Sequence, residues 1–189
     1  MPTRINSLSK HHPLHDKRRK IRLPMGATRF LAAFEGFEGG FAIGTSIVIA
    51  LSFGSHSRTA LLLTAIISII VNGFNNASVK YSSEHYLDQL DGRETKHVVK
   101  RYFMPAFIEF LSYFAISFVT ILPLIFIGDI TLAIVISAIA TLLLLFAAGY
   151  WRAYMLKMPL FRDGLETMLL GGGILLVGLT SGLIVAELY

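Results

Sequence analysis

Two carboxylates stand close together in the first long apolar stretch of the sequence. Glu35 and Glu38 are three residues apart, so on a helix they share one face. An ionised side chain costs roughly 2.5 to 3.5 kcal/mol at the centre of a membrane helix, so such groups usually serve a function. Paired carboxylates can bind a hard cation or a proton. The alternative is that both lie at the headgroup level, where the dipole at the start of a helix favours acids.

A second polar series follows one helix face out of the next apolar segment. Its members recur every four residues: Asn72, Asn76, Lys80, Glu84 and Asp88, with Asn75 beside them. A single Asn in a membrane helix usually bonds to a neighbouring helix, and Lys80 with Glu84 can form an ordinary i,i+4 ion pair. Three amides followed by a charged ladder exceed what helix packing needs. We therefore interpret the series as the lining of a pathway.

Further acids lie where this series leaves the membrane. Glu84, Asp88 and Asp91 share a helix face, with His85 nearby, and predict an entrance for cations. Such a charge run is equally typical of a solvated helix face. Glu109 lies about one turn inside the third apolar segment, at a depth that resembles the depth of Glu38.

Five apolar segments must position these groups. Hydrophobic residues make up 54% of the 189 residues and the mean hydropathy is +0.63, unlike ordinary soluble proteins. A segment of about 20 apolar residues spans a bilayer as a helix. The segments are residues 30–53, 60–81, 103–127, 131–151 and 165–188. We predict an all-α integral membrane protein, with a basic arm (1–29) and a five-helix transmembrane domain (30–189).

The positions of Lys and Arg predict the orientation of the helices. Sixteen of them lie in the N-terminal arm, the second loop and the fourth loop, and only Arg58 lies on the other side. Because positive residues accumulate on the cytoplasmic side, the N-terminus is predicted in the cytoplasm and the C-terminus outside. The basic run from Lys17 to Arg22 is also typical of nucleic-acid-binding arms. Before a first span it more often faces the anionic leaflet, so we predict no nucleic-acid partner.

The motifs of common enzymes are absent from the sequence. It contains no phosphate-binding Gly loop with Lys and Ser or Thr, no paired His on a helix and no Gly-x-Ser-x-Gly. The chain has no Cys, so a metal would need carboxylate, amide, imidazole or thioether ligands. We predict that the protein is not an enzyme and binds no permanent cofactor.

The sequence after the basic arm resembles the vacuolar iron transporter family. Residues 137–149, SAIATLLLLFAAG, are similar to the family's Ser-rich fourth span, which ends in Gly. Residues 159–172, PLFRDGLETMLLGG, are similar to its short basic link into a Gly-rich fifth span. The long Glu-rich domain that many members carry between spans two and three is absent, as it is in some short members.

The N-terminal half resembles the family with two changes. Residues 38–44, EGGFAIG, are similar to its first-span Asp-Gly motif, and Glu38 stands in place of the metal-binding Asp. Residues 77–87 are similar to the end of its second span. There Lys80 stands where the family has a Met ligand, while Glu84 matches a family Glu.

The resemblance implies a homodimer, paired through its first spans, that exports Fe²⁺ or Mn²⁺ from the cytoplasm in exchange for protons. Glu38 of both subunits would bind metal or protons, and Glu35, Glu109 and Glu84 would form the cytoplasmic side of the site. The metal is then a substrate rather than a cofactor. The surrounding lipid would be the plasma or inner membrane of a prokaryote or the vacuolar membrane of a eukaryote.

Two other functions remain open at this point. The same fold can serve as a non-transporting membrane scaffold, which Lys80 favours because a cation replaces a thioether ligand. The protein can also transport another solute, with Lys80 as the counter-charge of an anion. Under the exchanger hypothesis, Lys80 either competes with metal or forms a salt bridge with Glu38.

Overall fold

The computed structural model describes residues 26–54, 57–93 and 95–188, and those residues form helices and short links without any strand. The helices are α1 (Ala27–Gly54), α2 (Arg58–Leu90), α3 (Met104–Phe126), α4 (Ile130–Leu156) and α5 (Leu160–Leu188), and a π-helical turn (Val99–Phe103) leads directly into α3. All five, taking the turn with α3, are long and apolar enough to cross a membrane. The predicted all-α integral membrane fold is confirmed. The basic arm lies outside the described residues up to residue 25, and Ala27–Arg29 open α1.

Several helices extend beyond the apolar segments seen in the sequence. The second helix ends at Leu90 rather than at residue 81, so much of the predicted second loop is helical. Its 33 residues measure roughly 50 Å, whereas the hydrocarbon core is about 30 Å thick. Hydropathy detects only the lipid-embedded part of a helix. The turns of α2 after residue 81 therefore lie beyond the apolar part of that helix.

One end of the bundle carries nearly all of its positive charge. Ion pairs bring together the starts of α1, α3 and α5 and the ends of α2 and α4, and we call this the basic end. Its described cations are Arg29, Lys80, Arg93, Lys96, Lys100, Arg101, Arg152, Lys157 and Arg162. Arg58, at the opposite end, donates to the carbonyls of Ile127 and Gly128. By the positive-inside rule, we predict that the basic end faces the cytoplasm.

The first helix lies at the centre of the bundle, between α3 and α5. A Cβ at Gly40 would stand 2.7 Å from the carbonyl oxygen of Tyr113 in α3. On the other side, a Cβ at Gly182 of α5 would stand 2.9 Å from the carbonyl oxygen of Ala50 in α1. Small residues let membrane helices approach this closely. Glycines therefore place α1, with its two acids, inside the protein.

Buried hydroxyls connect the helices deeper in the bundle. The hydroxyls of Thr45 in α1 and Thr141 in α4 lie 2.6 Å apart. Ser117 of α3 donates to the carbonyl of Gly40 at 3.2 Å. Such bonds add roughly 0.6 kcal/mol each on average in a membrane protein, so they orient helices more than they stabilise them.

We expect the variant Gly40→Leu to destabilise the bundle by about 3 kcal/mol or more, because a side chain there must push α1 away from α3. Thermal unfolding of the protein in detergent measures the effect. The matched control is Gly173→Leu in α5, since no atom lies within 4 Å of a Cβ at that glycine. Equal loss of stability in the two variants would contradict the close approach of α1 and α3.

Candidate metal site

The predicted central acid, Glu38, is bound by an arginine from another helix. Arg152, near the end of α4, donates from Nη1 to Glu38 in α1. Its Nε lies 3.1 Å from the carboxylate of Asp163 in α5, and its Nη2 lies 3.2 Å from the hydroxyl of Thr167. The side chains of Arg152 and Glu38 are 22% and 25% exposed. One guanidinium thus joins three helices in a partly desolvated place.

Lys80 forms the second ion-paired group at the basic end. Its ammonium contacts the carboxylate of Glu35 in α1 and lies 3.4 Å from the carboxylate of Glu84, one turn along α2. The i,i+4 pair with Glu84 is therefore present as expected. The possible salt bridge from Lys80 to Glu38 is absent, because Glu38 is held by Arg152 instead. The two neighbouring acids of α1 thus have different cations.

Glu109 is the most buried acid among the predicted site residues of α1 and α3. It is only 9% exposed, and its Oε2 accepts no hydrogen bond from the residues that the structure describes. Its backbone carbonyl lies against Gly36, between the two acids of α1 in sequence. Tyr113, one turn deeper on α3, also has a buried hydroxyl without a described partner. A buried polar atom without a partner is costly and often marks a functional position.

The predicted entrance acids line one cavity of about 270 Å³, together with two arginines. Asp88 accepts from Arg101 Nε at 2.9 Å and from the Tyr102 hydroxyl at 3.1 Å. Asp88 lies beyond the apolar part of α2, and the hydrogen bonds from Arg101, with those from Tyr102, hold the pKa of its carboxyl below the usual range. Asp91 contacts Arg93. Within the described chain, Glu84 is the remaining acid of this cavity.

The other predicted lining residues have mixed surroundings. The ring of His85 packs against the ring of Tyr102, with the centroids 4.9 Å apart. The amide of Asn72 donates to the carbonyl of Ser68 in its own helix at 3.1 Å. Asn76 is half-buried, whereas Asn75 is exposed on the outer side of the bundle. A single chain therefore does not enclose all three amides.

Most of the described acids of the basic end are paired with internal cations rather than gathered into one ligand cluster. Among the described residues, no group of three or more His, Cys, Asp or Glu side chains is arranged to hold a metal. A metal ion bound by the Glu38 oxygen that Arg152 contacts would displace the guanidinium from that oxygen. Asp163 keeps the guanidinium partnered when this happens, since it already accepts from Nε. The arrangement can therefore exchange a fixed cation for a mobile one.

Arg152 and Asp163 are the site residues that the sequence analysis did not single out. Arg152 directly follows Trp151, the last residue of the predicted fourth span. It therefore lies close to the end of a span, as the predicted site acids do. Asp163 and Thr167 are four residues apart and share a helix face. These signals were present, but spacing alone does not tell which helix faces another.

Part of the chain matches the model of a known protein family. The model of the VIT family matches residues 84–183, which is more than half of the 189 residues. The matched segment contains α3, α4 and most of α5, including Arg152 and Asp163, and begins at Glu84. The acids of α1 and Lys80 lie outside it. No curated protein matches the chain.

Proposed function

Since this chain belongs to the VIT family, the vacuolar iron transporters, we propose that it carries Fe²⁺ or Mn²⁺ out of the cytoplasm in exchange for protons. The family consists of membrane transporters rather than enzymes. The observation that carries the proposal is the placement of carboxylates inside the membrane bundle: Glu38 partly buried on α1 and Glu109 nearly buried on α3. Ionisable groups at such positions mark ion pathways in membrane proteins.

In the proposed exchange, Arg152, a metal ion and a proton compete for the carboxylate of Glu38. A divalent cation that enters past Glu84 and Glu35 competes with Arg152 for the Glu38 carboxylate. Carboxylate ligands must be deprotonated to bind metal, so metal and protons exclude each other at the same oxygens. Protons arriving from the opposite side would release the metal there. Hence Glu38 is assigned as the shared metal and proton acceptor, and Glu109 as its neighbour on the cytoplasmic side.

We further propose that two copies of the chain form the complete pathway. Asn75 is exposed at membrane depth on α2, and its neighbour Phe74 is 69% exposed. An amide facing hydrocarbon lacks the hydrogen bonds that it has in water, which costs free energy. A second copy packed on this side of α2 would cover the amide.

Flux into proteoliposomes tests the proposal. Purified protein is reconstituted in vesicles, and uptake of Mn²⁺ or Fe²⁺ is recorded with and without a pH gradient. We expect metal uptake that is driven by the gradient and accompanied by proton movement in the opposite direction. Absence of flux for each divalent cation, in protein shown to be folded and inserted, would contradict transport and favour a scaffold.

The scaffold alternative rests on a specific observation, the ion pair between Lys80 and Glu35. If the protein is a transporter, the ammonium of Lys80 repels incoming divalent cations from this position. We therefore expect Lys80→Met to increase the apparent affinity for Mn²⁺ by roughly tenfold, since one unit charge is removed a few ångströms from the pathway. The same assay measures it. Lys157→Met, at an exposed position of the basic end, is the control.

The result of this substitution separates the hypotheses. A tighter apparent affinity in Lys80→Met, with Lys157→Met unchanged, supports metal transport past Lys80. Flux of an anionic solute that needs no metal and is lost in Lys80→Met would favour transport of that solute instead. Silence in all three proteins supports the scaffold.

A further inference from the structure

A second cavity, of about 440 Å³, lies at the basic end between the start of α1 and the start of α3. Four cationic side chains line it: Arg29, Arg93, Lys100 and Arg101. No described residue that lines it is acidic. The cavity is therefore opposite in charge to the neighbouring cavity of entrance acids, with which it shares Arg93 and Arg101.

The positive charge of this cavity is not fully neutralised within the described chain. Arg93 and Arg101 contact Asp91 and Asp88, respectively. Arg29 and Lys100 have no acidic partner within 4 Å among the described residues. The surplus charge of the cavity is thus concentrated on these two side chains.

The backbone at the start of α1 adds to the same field. Gly26, Ala27 and Thr28 line the cavity, and the first intrahelical bond of α1 runs from Phe30 N to the carbonyl of Gly26. The amides of α1 before Phe30 have no carbonyl partner among the residues that the structure describes. The positive end of a 28-residue helix dipole therefore points into a cavity that already holds four cationic groups. Together these groups favour a compact anion such as a phosphate group.

The position of the cavity distinguishes among phosphate compounds. It lies where two helices that are long and apolar enough to span a membrane begin, and lipid headgroups are expected at such helix ends. Large apolar side chains next to it in sequence are exposed: Leu31 at 40%, Phe103 at 51% and Phe107 at 42%. The rings of Phe103 and Phe107 are stacked, with the centroids 5.9 Å apart. A soluble anion would use only the cavity, whereas a phospholipid would use the cavity and these apolar surfaces.

We propose that this cavity binds the phosphate group of an anionic phospholipid, whose acyl chains lie along the exposed apolar side chains of α1 and α3. Arg29 and Lys100 supply the charge for the phosphate, and the amides of the first turn of α1 can donate to its oxygens. This lipid site is separate from the carboxylates that are assigned to metal transport. A result that contradicts metal transport would therefore not contradict lipid binding at this cavity.

Native mass spectrometry of the full chain in a neutral detergent tests the site. The protein is titrated with phosphatidylglycerol, and in parallel with phosphatidylcholine of the same acyl chains. We expect preferential retention of phosphatidylglycerol by the wild type. The double variant Arg29→Gln/Lys100→Gln should bind it roughly tenfold more weakly, because each basic residue near a membrane surface contributes substantially to the binding of anionic lipid.

The control is Lys157→Gln/Arg162→Gln, which removes the same charge from exposed positions of the same end, outside the cavity. We expect its affinity to stay within about twofold of the wild type. The proposed site would be overturned if Arg29→Gln/Lys100→Gln bound the lipid with wild-type affinity, or if the control lost as much affinity. Either result would mean that lipid binding depends on the general surface charge. Displacement of the lipid by inorganic phosphate would overturn the assignment to phospholipid.

Discussion

Replacement of Glu38 by Gln is expected to abolish metal-driven proton exchange in proteoliposomes, with the initial rate of Mn²⁺ uptake falling by about 100-fold or more. Loss of groups that merely orient a metal ligand costs roughly 10- to 100-fold in metal affinity, and Glu38 is proposed as a ligand itself. The amide keeps the size of the side chain and can still accept a hydrogen bond from Arg152. The guanidinium also keeps its contact with Asp163. The variant should therefore fold.

The matched control for this result is Glu166→Gln. Glu166 is an exposed acid in α5 at the same end of the bundle, and its substitution removes the same charge. We expect it to transport at close to the wild-type rate. A second variant, Glu38→Asp, keeps the carboxylate and should retain a measurable part of the rate. Unchanged transport by Glu38→Gln would show that Glu38 does not bind the transported metal, and it would contradict the proposed site.

The second large effect is expected on stability, from Arg152→Met. This substitution leaves the carboxylates of Glu38 and Asp163 without their cation in a place that is mostly removed from water. Breaking a buried ion pair on one side costs about 3 to 5 kcal/mol. Because Arg152 is 22% exposed, we expect about 2 to 4 kcal/mol here. That corresponds to a decrease of roughly 5 to 15 °C in Tm.

Fluorescence of the single Trp during thermal unfolding measures this loss. Trp151 precedes Arg152 and packs against Phe34 with the ring centroids 5.5 Å apart, so it reports on the same junction. Arg162→Met removes an exposed arginine from the same end and should change Tm little. Arg152→Lys keeps the charge but loses the guanidinium geometry that links α4 to α1 and α5, and we expect an intermediate Tm. A wild-type Tm for Arg152→Met would mean that the three contacts carry little energy.

These two predictions distinguish the roles of a single ion pair. In the first case, Glu38 binds the metal, and Arg152 occupies the place of the metal only when the site is empty. The variant Glu38→Gln should then lose transport but keep most of its stability. Arg152→Met should then lose stability while any folded protein still binds metal. If the pair serves only to hold the helices together, both substitutions affect Tm and neither changes the rate per folded molecule.

The five helices were predictable from the sequence because crossing a bilayer is a local requirement. Each span must by itself supply about 20 apolar residues and satisfy its own backbone hydrogen bonds, so neighbours along the chain are sufficient evidence. The polar end of α2 was not predictable in this way. It is helical although it lies beyond the apolar part of the helix, and hydropathy does not detect it.

The sequence by itself also selected Glu35, Glu38, Glu84 and Glu109, because an acid in or beside an apolar run is rare for an energetic reason that needs no structure. Only the tertiary structure decided their partners. Lys80 bonds to Glu35 and Arg152 bonds to Glu38, although residue 152 is far from residue 38 in the chain. Those pairings depend on which faces of α1, α2 and α4 meet. That choice is made by glycine contacts, such as that of Gly40 with the backbone of α3, which act between distant segments and leave no periodic signal in either one.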